Sequence, residues 1–152
     1  MIQQSLQLLS EHPDVAFATC EDGKPRLRQF QIMKIDGTTL YFATSARKAV
    51  YRQLKANPAI ELLAASGKRS VRCSGTACFE VADEVKQWIF QHNEVLRRLY
   101  DRYDAMEYFS MEIETLDYYD LEPTPPVMEC YNLKEGTPVS GFVGTRWAKT
   151  DA

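Results

Sequence analysis

The chain has 152 residues, the length of one ordinary domain. Its hydrophobic content of 45% and charged content of 26% argue against disorder. The net charge of −3, without a long block of either sign, argues against a nucleic-acid binder with a broad basic face. No apolar run approaches the about 20 residues that span a bilayer, and no basic segment precedes an apolar one at the N-terminus. We therefore expect a cytoplasmic protein.

The cysteines and histidines do not have the spacing of a metal site. No CxxC pair occurs, and the four cysteines do not cluster with the two histidines: Cys20, Cys73, Cys78 and Cys130, with His12 and His92. A zinc site needs closely spaced pairs of such ligands. We therefore expect no metal, and we predict that the cysteines are small apolar residues on strands.

The first third of the chain has the pattern of a helix followed by an antiparallel meander. Apolar residues at helical spacing over 2–11 predict a short helix that ends before Pro13. Asp-Gly pairs at 22–23 and 36–37 are typical hairpin turns. They separate three apolar runs, so we predict strands at 15–20, 26–35 and 39–44.

The spacing of apolar residues then changes from the two-residue period of a strand to the period of a helix, and afterwards back to that of a strand. A helix is predicted over 47–57, because Asn57-Pro58 ends the pattern, and a strand over 60–65. Strict alternation over 71–81 predicts a long half-buried strand, in which Gly75 favours a bulge or bend. Such a bend is typical of a sheet that curls into a barrel.

The second half predicts one more helix and further strands. Asp83 can cap a helix whose stripe runs from Val85 to Leu99, and we interpret Trp88 and His92 on that stripe as core residues. Alternation over 109–113 and the runs TLDYYDLEP and VMECYNL predict strands. The result is a mainly β (α+β) fold, a small antiparallel barrel of about six strands with helical insertions. We treat residues 1–152 as a single domain, with a core over 1–122 and a C-terminal extension over 123–152.

The most informative segment runs from Thr44 to Lys48, where a strand ends and a helix begins. If Ser45 is the N-cap, Arg47 and Lys48 are the second and third helical residues, beside the positive end of the helix dipole. Cations there cost about 0.3–1 kcal/mol each. Their presence is explained if helix N–H groups, the hydroxyls of Thr44 and Ser45, and both cations form a phosphate cradle. The alternative is that both cations simply extend into water.

A second candidate is the strand on which Arg26, Arg28 and Phe30 share one face. Guanidinium donors suit phosphate, ribityl hydroxyls or a ring carbonyl, so this face could line a groove. A solvated strand end is the alternative. Arg72 is a weaker candidate of the same kind. The Rossmann, P-loop and hydrolase-elbow motifs GxGxxG, GxxxxGK[ST] and GxSxG do not occur.

Five segments between Val15 and Phe79 carry a family resemblance: VAFAT, DGKPRLRQF, DGTTLYFATSARK, QLKANPAIEL and VRCSGTA. In this order and spacing they resemble the pyridoxamine 5′-phosphate oxidase-like, FMN-binding split-barrel superfamily. They cover a little under half of the chain. The small size and the PRLRQF segment are most similar to the short bacterial branch with nitroimidazole-resistance reductases and general-stress flavoproteins.

The resemblance implies a homodimer of six-stranded split barrels with two FMN molecules at the subunit interface. By motif position, Arg28, Gln29 and Phe30 would line the flavin ring and ribityl chain. Thr44 and Ser45 would contact the phosphate region, and Arg47 and Lys48 would hold the phosphate. Ser70 stands where family oxidases often carry Gln. The candidate cofactor-binding residues are therefore Arg26, Arg28, Gln29, Phe30, Thr44, Ser45, Arg47, Lys48, Ser70 and Arg72.

The resemblance implies an FMN-dependent oxidoreductase that passes electrons from NAD(P)H to a small acceptor such as a nitro compound or quinone. The flavin carries the chemistry, so no catalytic side chain is assigned. The oxidase's C-terminal Arg-x-His motif is missing, because Arg146-Trp147-Ala148 does not reproduce it. Pyridoxamine phosphate oxidase activity is therefore not expected. The alternatives are a non-catalytic flavin- or haem-binding stress protein and a reductase that uses deazaflavin F420.

Overall fold

The computed structural model describes residues 2–134 and the backbone of residues 137–139. Within these residues there are four α-helices and one 3-10 turn, at α1 Ile2–Glu11, α2 Ala49–Ala56, α3 Asp83–Gln91, α4 Glu94–Leu99 and Tyr103–Ala105. The ten strands of the same residues are β1 Asp14–Glu21, β2 Lys24–Gln31, β3 Lys34–Asp36, β4 Thr39–Thr44, β5 Ala59–Ser66, β6 Arg69–Cys78, β7 Glu107–Glu112, β8 Thr115–Asp120, β9 Val127–Asn132 and β10 Thr137–Val139.

The strands form one antiparallel sheet that curls on itself. Its main path is β10-β9-β8-β6-β5-β1-β2, and β7 leaves this path by pairing with both β6 and β4, while β3 pairs with β4. The predicted fold class, a mainly β split barrel with helical insertions, is confirmed. The described residues form more strands than the six predicted, partly because the single strand predicted over 26–35 is two strands, β2 and β3. The N–H of Ile32 still bonds the Pro13 carbonyl, whereas that of Met33 bonds Tyr41, so the chain changes partners there.

Gly75 lies at the point where the sheet curls. Strand β6 pairs with β8 over residues 69–74 and with β7 at residues 77–78. A Cβ atom on Gly75 would clash with the Met111 side chain and would lie 2.6 Å from the Glu112 carbonyl oxygen. Only glycine lets the β7 backbone approach this closely, so the bend predicted at Gly75 is confirmed.

Phenylalanine side chains fill the centre of the barrel. Phe17 on β1, Phe42 on β4 and Phe109 on β7 are fully buried, with ring centroids 5.2 Å apart for Phe17 and Phe42 and 5.0 Å for Phe42 and Phe109. Burying such a side chain contributes about 1.5–3 kcal/mol. The cluster therefore packs β1, β4 and β7 against one another, and the end of β4 contributes to the candidate site described below.

The helix predicted to run through residue 99 is two helices. The α3 helix has its C-cap at His92, and Asn93 starts α4 by accepting a hydrogen bond from the Leu96 N–H at 3.1 Å. The interpretation of His92 and Trp88 as core residues is wrong. His92 is exposed and stacks on the Trp88 ring at 4.0 Å, and Trp88 is 38% exposed. The stripe does not continue across the break, so Ile89 and Leu96 are the buried residues of the two helices.

Strand β9 continues the sheet beyond the predicted core. It pairs with β8 from Thr115 opposite Asn132 to Asp120 opposite Val127. The boundary at residues 122 and 123 stays a prediction, and residues 146–148 lie outside the described residues. The four cysteines are free and lie on strands, as predicted. None of the helices in the described segments combines the length and apolar character needed to cross a membrane.

Candidate functional site

A cleft of about 280 Å³ lies between β2, the end of β4 and α4. Strand β2 and the end of β4 supply one side, and residues from α4 onward supply an apolar wall. The residues that line it are Asp14, Gln29, Phe30, Gln31, Met33, Ala43, Thr44, Lys48, Val95, Leu96, Leu99, Tyr100 and Met106. Four predicted cofactor-binding residues, Gln29, Phe30, Thr44 and Lys48, therefore meet in one cleft.

The segment after β4 is a turn that precedes the helix, which we call the cationic turn (residues 45–48). Ser45 organises it, because its hydroxyl oxygen accepts a hydrogen bond from the Arg47 N–H at 3.2 Å and its carbonyl accepts one from the Lys48 N–H at 3.0 Å. Lys48 is the N-cap of α2. The prediction that Ser45 is the N-cap and that both cations are helical is therefore wrong, since Ser45 closes a turn of its own.

The cationic turn carries two positive charges at the start of α2, although its geometry differs from the predicted one. The first turn of α2 contains no acidic residue, and the Lys48 side chain makes no capping hydrogen bond. Arg47 and Lys48 are both exposed, and within the described ranges neither forms an ion pair. Two unpaired cations next to the positive end of a helix are a favourable place for an anion.

Thr44 is a buried polar residue at the edge of the same cleft. It is 3% exposed, and its Oγ1 atom has no hydrogen-bond partner in the described part of the chain. Leaving a buried hydroxyl unpaired costs about 1–3 kcal/mol. A ligand atom in the cleft that bonds this hydroxyl would remove the penalty, so the unpartnered oxygen fits an oxygen-rich ligand such as a phosphate.

The guanidinium group of Arg28 is hydrogen-bonded to other protein groups, and Arg28 is not among the residues that line the cleft. It donates hydrogen bonds to the Thr19 hydroxyl oxygen at 2.9 Å and to Gln53 Oε1 at 2.5 Å. Burial lowers the pKa of Arg28. Arg26, two residues earlier, lies 3.4 Å from Glu21 as an ion pair. Neither arginine is among the residues that line the cleft, whereas Gln29 and Phe30, which directly follow Arg28, are.

Ser70 and Arg72 lie on β6, outside the cleft of the same protomer. Arg72 donates from Nε to Asp117 at 3.0 Å and from Nη2 at 2.5 Å, and it lies 3.4 Å from Glu61. The hydrogen bond to Asp117 raises the pKa of Arg72. Ser70 is paired with Ala65 across β5 and β6. Their roles in cofactor binding stay predictions that would require a second protomer.

The apolar wall is the part of the cleft that sequence analysis missed. Val95 and Leu99 on α4 are 46% and 63% exposed, and Tyr100 follows them. Leu96 and Leu99 belong to the apolar stripe that was assigned to the core. The signal that could have separated them is Asn93, a preferred N-cap residue that marks a new helix start.

A sequence comparison assigns the chain to a protein family, and solved structures show the same fold. Residues 1–119 match the sequence profile of the pyridoxamine 5′-phosphate oxidase family. No curated protein matches the chain. The fold is similar to a protein from Clostridium acetobutylicum related to general stress protein 26, at 18% identity and TM-score 0.72, with 88% of this chain and 95% of that chain covered.

Two more solved structures are similar. A NimC/NimA family protein from Clostridium acetobutylicum has 20% identity and TM-score 0.68, with 84% of this chain and 90% of that chain covered. A pyridoxamine 5′-phosphate oxidase-related, FMN-binding protein from Nostoc punctiforme has 15% identity and TM-score 0.71, with coverage of 92% and 93%. The predicted resemblance is confirmed, and the chain belongs to the pyridoxamine 5′-phosphate oxidase family.

Proposed function

We propose that the protein is an FMN-dependent oxidoreductase whose cleft holds the phosphate end of the cofactor at Thr44 and the cationic turn. The observation that carries this proposal is the unpartnered hydroxyl of the buried residue Thr44, which lies in the same cleft as Lys48 and directly precedes a turn whose two cations have no ion-pair partner in the described ranges. Charge-assisted hydrogen bonds from such cations to phosphate are the strong class of polar contact. Family membership and an FMN-binding structural relative support the same cofactor.

The other residues that line the cleft fit the parts of a flavin that lie beyond its phosphate. Gln29 offers an amide that can donate or accept, and Phe30 and the wall of Val95, Leu99 and Tyr100 offer apolar contacts for a flat ring. The bound flavin would supply the redox chemistry, with electrons coming from a reduced nicotinamide and going to a small acceptor of the nitro or quinone class. The chain's own residues would bind the cofactor, orient it and exclude water from it.

A homodimer with the cofactor at the subunit interface is part of the proposal. The cleft of about 280 Å³ is slightly smaller than the about 300–1,000 Å³ of typical ligand pockets, so one protomer would enclose only part of the cofactor. Leu27 and Leu63 lie opposite Ala18 and Ala16 on one face of the sheet, and they are 72% and 43% exposed. An exposed apolar face of this kind is typical of an interaction surface. The second protomer would then supply the rest of the enclosure.

We also propose that the protein acts in the cytoplasm. All four cysteines are free, including the exposed Cys78. Free thiols are typical of a reducing compartment.

The absorption spectrum of the purified protein is the first test of this proposal. A flavin spectrum, uptake of FMN followed by fluorescence quenching, and NADPH oxidation with nitro or quinone acceptors would support it. A Soret band would instead identify a haem protein, and a deazaflavin spectrum an F420 protein. Bound FMN without turnover would leave a flavin-binding protein that is not an oxidoreductase. Failure to take up FMN at all would refute the proposal.

A further inference from the structure

A small polar cluster, of which two side chains are buried and one is partly buried, lies under the helix that follows the cationic turn. It consists of Thr19 on β1, Arg28 on β2 and Gln53 on α2, and we call it the TRQ cluster. Thr19 and Gln53 are each 4% exposed, although most buried residues around them are apolar. Polar groups are buried in a core at a cost unless their hydrogen bonds are satisfied, so the cluster needs an explanation.

The hydrogen bonds of the TRQ cluster form a closed ring. Thr19 Oγ1 donates to Gln53 Oε1 at 2.6 Å. Arg28 Nη1 donates to Thr19 Oγ1 at 2.9 Å, and Arg28 Nη2 donates to Gln53 Oε1 at 2.5 Å. Each bond joins a different pair of secondary-structure elements. A satisfied buried network of this kind fixes the relative position of the elements that carry it.

Helix α2 depends on such contacts for its position. It has only eight residues, and its N-cap Lys48 provides no side-chain hydrogen bond to the helix start. Helices this short are not stable on their own in water. Besides Val50 and Leu54, Gln53 is the buried residue of α2. Because α2 begins directly after Lys48, a contact that fixes Gln53 also fixes the cationic turn against the cleft.

We infer that Arg28 is a positioning residue for the phosphate end of the flavin and acts through Thr19 and Gln53 on the cationic turn. This inference rests on the proposed function. It differs from the expectation drawn from the family resemblance, in which Arg28 touches the flavin ring and ribityl chain. Arg28 already donates hydrogen bonds to three protein acceptors: Thr19, Gln53 and the Phe17 carbonyl, the last at 3.3 Å.

The test compares FMN with riboflavin, which lacks the phosphate. Arg28→Lys keeps the positive charge, but its single nitrogen lacks the fork that bridges Thr19 and Gln53. We expect the preference for FMN over riboflavin, measured as the ratio of the two Kd values, to fall about fivefold or more, the size of one lost buried hydrogen bond. The Kd of riboflavin should stay unchanged. The matched control is Arg52→Lys, on the exposed side of α2, which should leave the ratio unchanged.

Two other results would overturn the inference. Equal loss of affinity for FMN and riboflavin would show that Arg28 contacts a part of the flavin that both share. A lower melting temperature with an unchanged ratio would show that the cluster only supports the fold. Equal affinity of the wild-type protein for FMN and riboflavin would refute the phosphate site itself. That result would be a failure of the proposed function, and it would be seen before any variant is made.

A second pair of variants covers the case in which Arg28→Lys does not fold. Thr19→Val removes the hydroxyl that bonds both Arg28 and Gln53, whereas Thr19→Ser keeps it. We expect Thr19→Val to lower the preference for FMN over riboflavin and Thr19→Ser to leave it as in the wild type. An unchanged preference in Thr19→Val, or the same low preference in both variants, would contradict the inference.

Discussion

The cationic turn and the outer face of β6 both carry cations, but in the described ranges only the cation on β6 has carboxylate partners. In the turn, Arg47 and Lys48 have no carboxylate partner in the described ranges, and the nearby Thr44 hydroxyl is also unpartnered. On β6, Arg72 is held by Asp117 at 2.5 Å and lies 3.4 Å from Glu61. A cation is available to a ligand only where the fold leaves it without a counter-charge, and residue type alone does not decide this.

The largest effect is expected from removing the free cations. Arg47→Ala combined with Lys48→Ala should weaken FMN binding by several kcal/mol, because two charge-assisted contacts of about 1.5–3 kcal/mol each would be lost. The dissociation constant from fluorescence quenching measures this. The matched control is Arg97→Ala with Arg98→Ala, an adjacent exposed pair on α4 that does not line the cleft. Equal effects of both double variants would show that only net charge matters.

The next effect concerns two buried threonines with opposite hydrogen-bonding states. Thr44→Val should stabilise the flavin-free protein or leave it unchanged, because it removes an unpartnered hydroxyl. Thr19→Val should destabilise it by about 1 kcal/mol, because Thr19 both donates and accepts. Denaturant unfolding measures both. Thr44→Val should also weaken FMN binding about fivefold. If Thr44→Val destabilised the protein as much as Thr19→Val, its hydroxyl would have a partner after all.

A smaller effect is expected at the paired cation. Arg72→Ala should change the free energy of unfolding by less than about 1 kcal/mol, because half-exposed ion pairs contribute little. FMN affinity should also change little, since Asp117 already engages Arg72 and the residue lies outside the cleft of its own protomer. A loss of FMN affinity as large as that of the Arg47→Ala, Lys48→Ala variant would contradict this prediction. It would indicate that Arg72 contacts the cofactor in the partner's cleft.

The smallest effect is a pH dependence of thiol reactivity on β6. Burial raises the pKa of Cys73 from 9.0 to about 12, so the reactive thiolate is suppressed around pH 9 and forms only as the pH rises towards 12. Cys78 on the same strand is exposed. A thiol reagent should therefore modify Cys78 before Cys73, and Cys78→Ser should remove the fast phase of modification. A fast phase that remains in Cys78→Ser but is lost in Cys73→Ser would show that Cys73 is accessible.

Local patterns predicted much of the fold. The Asp-Gly turns, the Asn57-Pro58 helix end and the alternation around Gly75 each depend on neighbouring residues, and the structure has all of these features. The break at Asn93 was missed because the apolar residues in the sequence keep helical spacing across it, although the helix itself does not continue. The partners of Arg28 and Arg72 could not be predicted, since Gln53 and Asp117 are 25 and 45 residues away in the chain. The electropositive turn was predictable, but its geometry depended on Ser45 closing a turn before the helix.

A crystal structure of the protein with FMN bound tests the central claim most directly. We expect the phosphate to lie within hydrogen-bond distance of the Thr44 hydroxyl and of at least one of Arg47 and Lys48, with the Arg28 guanidinium still bonded to Gln53. A phosphate bound at Arg72, or a cleft in which Thr44 and the cationic turn do not contact the cofactor, would contradict it.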